Sequence, residues 1–238
     1  MERLDKILAG TGRWSRREIG RLVKAGRVTV DGVPASAPDC KYDPASAFAV
    51  DGEPVSGERL VYLMLHKPAG VISATEDPRK RTVLELLPGH LRRTGLFPVG
   101  RLDRDTEGLL LLTNDGPLAH RLLSPKKHVD KTYFVRVDGP LGEDDVAGFA
   151  AGLTLRDGLA CLPARLELLE EEGEALITIQ EGKYHQIKRM MASRRRRVIY
   201  LKRLTMGPLR LDPALERGAW RPLTEEELAA LRELEVRS

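Results

Sequence analysis

An aspartate flanked by two arginines is the residue best suited to chemistry in this sequence. It is Asp103, which stands between Arg101 and Arg104 in GRLDRDTEGLLLLTNDG, directly before an apolar run. A nearby opposite charge lowers the pKa of a carboxyl group and keeps it ionised, as a nucleophile or general base requires at neutral pH. Asp105 and Glu107 have the same side-chain chemistry, so spacing alone leaves the choice among the three carboxylates open. A surface turn held by salt bridges is the structural alternative.

Other familiar catalytic and metal-binding patterns are missing from the sequence. It contains no GxxxxGK[ST], GxGxxG, HExxH or GxSxG motif. The five histidines show no ligand-like pairing, and Cys40 and Cys161 belong to no CxxC pair. A disulfide framework and a cysteine-rich zinc site are thereby excluded. Any chemistry must therefore come from a carboxylate.

The composition is that of an ordinary globular chain. Of its 238 residues, 42% are hydrophobic and 31% are charged, and the length suits a small domain followed by a medium one. No apolar run approaches the roughly 18 residues of a membrane-spanning helix, and the charged start MERLDKILAG lacks a signal-peptide core. We expect a cytoplasmic protein that makes no contact with a membrane.

The net charge of +4 conceals a strong segregation of charge along the chain. Residues 1–30 contain eight basic and three acidic residues, and residues 183–210 contain ten basic and none acidic. Residues 140–181 show the reverse, with two basic and ten acidic residues. Separate basic blocks favour a polyanionic partner such as nucleic acid, although solvated surfaces are the alternative. Aromatic residues are only 5%, which favours contact with phosphates over extensive base stacking.

The first 35 residues predict two helices and a hairpin. Helical spacing begins at Leu4, and Gly10 and Gly12 end the first helix. Ser15 and Glu18 form the capping box of a second helix, which ends near Gly26. The second helix is predicted to bury Ile19, Leu22 and Val23, and a hairpin to turn at Asp31-Gly32 between Val30 and Val33.

A basic surface is predicted on the second helix. Arg17, Arg21 and Lys24 have i, i+4, i+7 spacing, with Arg13 one turn earlier and Arg16 beside them. Because like charges on one face repel each other, an anion would stabilise them, and RNA phosphate is the candidate.

The remainder of the chain predicts an α+β fold with a mixed or antiparallel sheet. Residues 43–59 contain the last strand of the first module and the linker, and we place the domain boundary between residues 57 and 58. Strands are expected in 60–67, 109–112, 131–137, 165–169, 174–180 and 197–204. Helices are expected within 77–95, at 118–123, at 143–151, after Gly182 and after Thr224. Thr224 and Glu227 form a second capping box at the start of the last helix.

Two parts of the sequence resemble known families. RLDKILAGTGRWSRREIGRLVKAGRVTVDG is similar to the S4 domain, a small module that binds structured RNA through its second helix. GRLDRDTEGLLLLTNDG resembles the GRLDxxTxGLLLLTxDG signature of the RsuA-type ribosomal RNA pseudouridine synthases, which also have an N-terminal S4 domain. LHKPAGVIS, KTYFV and EGKYHQIKRM resemble three further motifs of this family in the same order.

The resemblance implies a set of site residues. The aspartate of the signature is Asp103, the active-site tyrosine is Tyr133, and Lys188 takes the place of the basic residue that pairs with the aspartate. Arg101 would fill the space that the target uridine vacates, and Ile187 would pack against the site. Lys183 and Gln186 of the same motif complete the expected RNA-binding set. No metal or cofactor is implied.

The resemblance also implies a substrate. HKPAGVISATEDP and WRPLTEEEL look most like the small-subunit enzyme, which implies uridine 516 of 16S ribosomal RNA in a partly assembled small subunit, and a monomeric protein. A large-subunit 23S rRNA enzyme of the same family and a non-catalytic rRNA-binding assembly factor remain the alternatives. The run SRRRR (193–197) departs from the family pattern, and it indicates either additional phosphate contact or a solvated surface.

Overall fold

Two short helices begin the chain, and their ends follow the predicted signals. Helix α1 spans Leu4–Gly10 and helix α2 spans Arg16–Lys24. The Ser15 hydroxyl accepts a hydrogen bond from the Glu18 amide at 3.3 Å, and the Glu18 carboxylate accepts one from the Ser15 amide at 2.7 Å. This confirms the capping box that the sequence predicts. The computed structural model describes residues 1–11, 13–55, 60–124 and 127–236, so Gly12 lies outside the described residues.

The apolar positions of the two helices build one small core with the strands that follow. Ile19, Leu22 and Val23 are buried, as their spacing predicts, and Trp14 packs against the same core. Asp31 and Gly32 have positive φ angles of 51° and 81°, which a tight two-residue hairpin turn requires. The strands of this region are β1 (Glu2–Arg3), β2 (Val28–Val30), β3 (Val33–Pro34), β4 (Lys41–Tyr42), β5 (Phe48–Val50) and β6 (Glu53–Val55).

These six strands form two sheets. Strand β1 pairs antiparallel with β4, and the other four make an antiparallel sheet in the order β3-β2-β5-β6. The predicted hairpin of β2 and β3 is confirmed. The β1–β4 pair is an addition to the predicted elements, because strands of two residues are too short to show a period-2 pattern.

A large mixed sheet forms the framework of the remaining chain. Its order is β11-β12-β10-β13-β9-β7-β15, with β14 on β13 and β8 on β9. Its strands are β7 (Tyr62–Lys67), β8 (Phe97–Pro98), β9 (Glu107–Thr113), β10 (Lys131–Val137), β11 (Arg165–Leu168), β12 (Glu174–Ile179), β13 (Val198–Met206), β14 (Leu209–Arg210) and β15 (Trp220–Pro222). Strand β10 pairs antiparallel with β12 and β13, whereas β13 runs parallel to β9. The predicted α+β class with a mixed sheet is confirmed.

Helices connect the strands of this sheet close to their predicted positions. They are a 3-10 turn (Val83–Leu86), α3 (Gly89–Arg92), α4 (Gly116–Leu123), α5 (Glu143–Ala151), α6 (Gln186–Ser193) and α7 (Glu225–Val236). At the start of α7, the Thr224 hydroxyl accepts a hydrogen bond from the Glu227 amide at 3.1 Å, which confirms the second capping box. None of the helices in the described residues combines the length and the apolar character needed to cross a membrane.

The arginine run after α6 has a structural role that the sequence did not predict. Arg194 Nε lies 2.7 Å from Asp145 Oδ1, and Arg196 Nε donates to the Pro140 carbonyl at 2.6 Å. Asp145 lies in the acidic first turn of α5, and Pro140 lies in the loop before that helix. Arg194 and Arg196 therefore make contacts within the fold, and contact of this run with phosphate stays a prediction. Arg195 is exposed and has a positive φ of 60°.

The chain divides into two compact units. One comprises residues 1–61, 84–97 and 113–115, and the other comprises residues 62–83, 98–112 and 116–238. The predicted boundary between residues 57 and 58 lies in the stretch 56–59, outside the described residues, and stays a prediction.

Gly108 permits the close approach of strands β9 and β13. Its φ is +108°, and a Cβ added there would lie 2.2 Å from the Arg203 carbonyl oxygen. We expect Gly108→Ala to destabilise the second unit by about 3 kcal/mol, roughly 6–12 °C in melting temperature, because backbone cannot yield as a side chain can. Thermal unfolding followed by circular dichroism measures the effect. Gly116→Ala is the matched control, since an added Cβ there meets nothing within 4 Å, and an equal loss in both variants would contradict the argument.

Candidate active site

The loop before strand β9 presents Asp103 to a cleft. The backbone of this loop is fastened on both sides of the aspartate. The Leu102 amide donates to Ser73 Oγ at 3.0 Å, and the Ser73 hydroxyl donates to the Leu102 carbonyl at 3.1 Å. The Thr106 amide donates to the Asp103 carbonyl at 3.1 Å. The Asp103 side chain is 25% exposed, so it is reachable from solvent while its backbone is held.

A buried lysine at the end of β7 binds the backbone of the same loop. Lys67 is 0% exposed, and its Nζ donates to the carbonyls of Asp103 at 3.0 Å and Thr106 at 2.8 Å. It also reaches the carbonyls of Pro68 at 3.1 Å and Arg104 at 3.4 Å. Burial lowers the pKa of Lys67 to about 8, although the nearby carboxylates of Asp105 and Asp103 oppose the shift. One ammonium group thus binds four carbonyl oxygens around the aspartate.

Helix α6 supplies the cation that faces Asp103. Lys188 Nζ lies 3.0 Å from Asp103 Oδ2 and 2.5 Å from Asp105 Oδ1, so one ammonium group bridges two carboxylates. Burial opposes the charge of Lys188, but its hydrogen bonds to Asp105 and Asp103 raise its pKa above the ordinary value. The structure therefore brings Lys188 to the predicted partner and adds a second one.

The other oxygen of Asp103 faces a histidine that sequence reasoning set aside. His185 Nε2 lies 3.6 Å from Asp103 Oδ1. His185 precedes α6 and has the left-handed backbone angles φ 48° and ψ 35°. No other histidine lies near His185 in the sequence, so the spacing of the histidines gives no sign of its role. Its place in EGKYHQIKRM, three residues before Lys188, is the signal that would have found it.

The structure distinguishes the three carboxylates that spacing could not. Glu107 is buried in β9, where it accepts a hydrogen bond from the Tyr200 hydroxyl at 2.7 Å and pairs with Arg217 at 3.0 Å. The side chain of Asp105 is 73% exposed. Asp103 alone of the three lines the cleft.

Among the described residues, neither of the two flanking arginines forms an ion pair with Asp103. Arg104 Nε donates to the Gly70 carbonyl at 3.1 Å, and Arg101 is exposed and makes no ion pair with the described residues. The cation beside Asp103 is Lys188, because the fold of α6 brings it there. Arg101 nonetheless lines the cleft together with Asp103.

Tyr133 meets Asp103 in one cavity. Tyr133 lies on β10, is 7% exposed, and lines a cavity of about 60 Å³ with Asp103 and Lys188. Space of this size holds about two water molecules. An outer cavity of about 270 Å³ adjoins it and also contains Asp103 in its wall. Asp103 therefore lines both the smaller, inner cavity and the larger, outer one.

The remaining motif residues form the wall of the inner cavity. Ile187 is 4% exposed, as expected for a packing residue. Gln186 is also 4% exposed, and its amide group donates to Glu181 Oε1 at 2.7 Å. Lys183 Nζ pairs with Glu181 Oε2 at 2.7 Å and donates to the Ala160 carbonyl at 2.5 Å. Gln186 and Lys183 therefore stabilise the loop before α6, and their contact with RNA stays a prediction.

The predicted basic surface of α2 is present in the first unit. Its five members are exposed, and Arg13 also lies over the Trp14 ring at 5.9 Å. They are Arg13, Arg16, Arg17, Arg21 and Lys24.

No group of three or more His, Cys, Asp or Glu side chains in the described residues is arranged to hold a metal ion.

Comparison with known proteins assigns both parts of the chain. The family model for RNA pseudouridylate synthase matches residues 61–193, and the S4 domain model matches residues 2–43. An uncharacterized RNA pseudouridine synthase of Bacillus subtilis is 50% identical over 235 residues, which is 97% of this chain and 98% of the relative. The ribosomal small subunit pseudouridine synthase A of Salmonella typhimurium is 42% identical over 233 residues, which is 96% of this chain and 99% of the relative.

A solved structure agrees with these relatives. The chain of a crystal structure of pseudouridylate synthase superposes with a TM-score of 0.70 at 35% identity. The match covers 97% of this chain and 100% of that chain.

Two buried lysines make the stability of the fold depend on pH. Burial lowers the pKa of Lys67 and of Lys131 from 10.5 to about 8. Between about pH 8 and pH 10.5 the unfolded chain therefore binds more protons than the folded chain, so the free energy of unfolding rises with pH through this window. We expect Lys67→Met and Lys131→Met each to flatten this rise in urea unfolding. The exposed Lys80 provides the control, because Lys80→Met should keep the wild-type slope, and a wild-type slope in the other two variants would refute the assignment.

Proposed function

The chain belongs to the RNA pseudouridylate synthase family, and on this premise we propose that it isomerises a uridine of small-subunit ribosomal RNA to pseudouridine. It is an RNA pseudouridine synthase, an isomerase that carries an S4 domain. The single observation that carries the proposed mechanism is the Asp103–Lys188 ion pair at 3.0 Å in the wall of a cavity shared with Tyr133.

The reaction requires little beyond an aspartate and a shaped cavity. The bond between uracil N1 and ribose C1′ breaks, the uracil rotates, and C5 bonds to C1′ while a proton moves from C5 to N1. Atoms and electrons balance without net redox change or hydrolysis, so we propose that no cofactor takes part. Asp103 acts as a nucleophile or as the proton acceptor at the sugar, and Lys188 contacts its carboxylate and orients it.

Tyr133 and Arg101 complete the proposed site. The ring of Tyr133 stacks on the target uracil, and its hydroxyl assists removal of the C5 proton. A base inside a helix cannot reach Asp103, so the target nucleotide leaves its stack. Arg101, exposed at the cleft and without an ion pair to the described residues, is placed to occupy the vacated space. The burial of Tyr133 and the exposure of Arg101 suit these two roles.

The basic surface of α2 is the proposed anchor for structured RNA. Five exposed cations on one short helix and the turn before it supply phosphate contacts, which position an RNA without reading its sequence. We therefore assign RNA affinity mainly to the first unit and chemistry to the second.

We further propose 16S rRNA, at uridine 516, as the substrate in a partly assembled small subunit of the cytoplasm, with the protein acting as a monomer. The relative from Salmonella typhimurium, named for the small subunit, supports this target. A large-subunit 23S rRNA target and a non-catalytic assembly role are the alternatives. Mapping pseudouridines in rRNA from a strain that lacks the protein distinguishes them: loss at position 516 supports the proposal, loss in 23S rRNA moves the target, and no loss favours the assembly factor.

Asp103→Asn tests the chemical assignment. The amide keeps the shape of the side chain and removes its charge and basicity, so we expect pseudouridine formation to be abolished while RNA affinity stays within a few-fold. Tritium release from RNA labelled at uracil C5 measures turnover, and a filter-binding titration measures affinity. Asp105→Asn is the matched control, because it removes the other carboxylate that Lys188 contacts. Near-normal turnover in Asp103→Asn combined with loss in Asp105→Asn would transfer the chemistry to Asp105.

Replacing Arg17, Arg21 and Lys24 together by alanine tests the RNA anchor. We expect weaker binding and a shallower dependence of affinity on salt concentration. Each phosphate contact releases counterions when RNA binds, so a variant with fewer contacts releases fewer of them. Single-turnover rates at saturating RNA should change little. A variant that lacks three exposed arginines of the second unit, Arg165, Arg210 and Arg232, controls for net charge. The anchor would be disproved by equal changes in both triple variants.

A further inference from the structure

An exposed aromatic ring stands at the edge of the outer cleft. Tyr184 is 73% exposed, whereas the other aromatic side chains, all of which lie in the described ranges, are buried or half-buried. It lines the outer cavity of about 270 Å³ together with Asp103 and Arg101. Exposing the apolar surface of an aromatic ring to water is unfavourable. An exposed ring beside the proposed reaction centre therefore indicates a binding role.

The Tyr184 ring is held in a defined orientation. It stacks on the imidazole of His185 with ring centroids 3.8 Å apart and an interplanar angle of 20°. The backbone is also held, because the Arg189 side chain donates to the Tyr184 carbonyl at 3.4 Å and the Arg189 amide donates to the His185 carbonyl at 2.9 Å. One ring face is thus covered by His185, and the exposed surface of Tyr184 is the opposite face and the edge.

His185 connects this ring to the catalytic aspartate. Its Nε2 is 3.6 Å from Asp103 Oδ1, so Tyr184 lies one ring beyond a residue that faces the reacting carboxylate. His185 adopts a left-handed backbone conformation, with φ 48°, which is uncommon for residues other than glycine. This backbone turn at His185 places the rings of Tyr184 and His185 at the cleft.

We propose that the open face of Tyr184 is a stacking subsite for the unpaired nucleobase next to the target uridine. This inference rests on the proposed function. When a target base leaves its stack, its neighbour loses a stacking partner, and an aromatic side chain replaces it. A flat ring without a charge accepts any base, so this subsite takes a nucleobase of either class and contributes affinity without reading sequence. The exposed guanidinium of Arg101 in the same cleft favours a polyanion over a protein partner.

The experiment combines a protein change with an RNA change. The probes are synthetic fragments of 16S rRNA centred on uridine 516, either intact or with an abasic nucleotide on the 5′ or the 3′ side of the target. Dissociation constants are measured by fluorescence anisotropy with the full chain in wild-type, Tyr184→Ala and Tyr184→Phe forms. Turnover of the intact fragment by the wild type is measured in parallel, so a failure of the proposed function is seen separately.

We expect Tyr184→Ala to weaken binding of the intact fragment on the order of tenfold, the effect of one lost base stack. One of the two abasic fragments should weaken wild-type binding by a similar factor, and Tyr184→Ala should lose nothing more on that fragment. Tyr184→Phe should bind as the wild type does. Ile199→Ala is the control, because Ile199 is 58% exposed in the same unit and should show no coupling to either abasic site.

Three outcomes would overturn the subsite. The first is additive loss in Tyr184→Ala and both abasic fragments, which means that the ring and the neighbouring base do not meet. The second is unchanged RNA binding in Tyr184→Ala, which leaves the ring to a protein partner. The third is absence of turnover and of specific binding by the wild type, which removes the proposed target and the subsite with it.

Discussion

A single buried ammonium group underlies the geometry of the site. Lys67 binds the carbonyls of Asp103 and Thr106 at the start of β9, and it is itself fixed at the end of β7. Among the described residues, Lys67 donates to carbonyl oxygens and forms no ion pair with an acidic side chain, and its charge lies close to Asp103 and Asp105. A buried charge is costly unless its hydrogen bonds are satisfied, and the loop backbone satisfies them only in the folded arrangement. Burial of Lys67 is therefore tolerated only when the loop adopts the conformation that satisfies its hydrogen bonds, and that conformation also presents Asp103.

The two carboxylate oxygens of Asp103 have different partners. Lys188 faces Oδ2 of Asp103 from α6, while His185 faces Oδ1 from the residue before that helix. Because both partners come from one turn, any movement of α6 changes the whole surroundings of the aspartate at once. Lys188 also contacts Asp105, so the two aspartates share one cation. Of the two carboxylates, Asp103 lines the cleft, while the more exposed Asp105 also contacts the lysine.

The basic residues of the chain divide into two groups with different tasks. The cations of α2 are exposed on one surface, where they are available to RNA phosphates. In the block 183–210, by contrast, Arg194 binds Asp145, Arg196 binds a backbone carbonyl, and Arg203 is buried with its Nε on the Leu109 carbonyl at 2.8 Å. Arg194 therefore neutralises one carboxylate of the acidic segment 140–181 within the fold. The number of basic residues by itself does not show which of these cations face solvent.

Local signals in the sequence determined most elements of this protein. Capping boxes at Ser15 and Thr224, the Asp31-Gly32 turn and the apolar run of β9 involve residues within a few positions of each other, so they are visible without the fold. The family resemblance selected Asp103, Tyr133 and Lys188, while composition and spacing alone left Asp103, Asp105 and Glu107 equivalent. The tertiary structure shows the Lys188–Asp103 pair that the resemblance implied, and it alone shows that His185 and Tyr184 line the cleft. The physical reason is that charge pairing depends on separation in space, and strand order and the position of α6 set that separation for residues far apart in the chain.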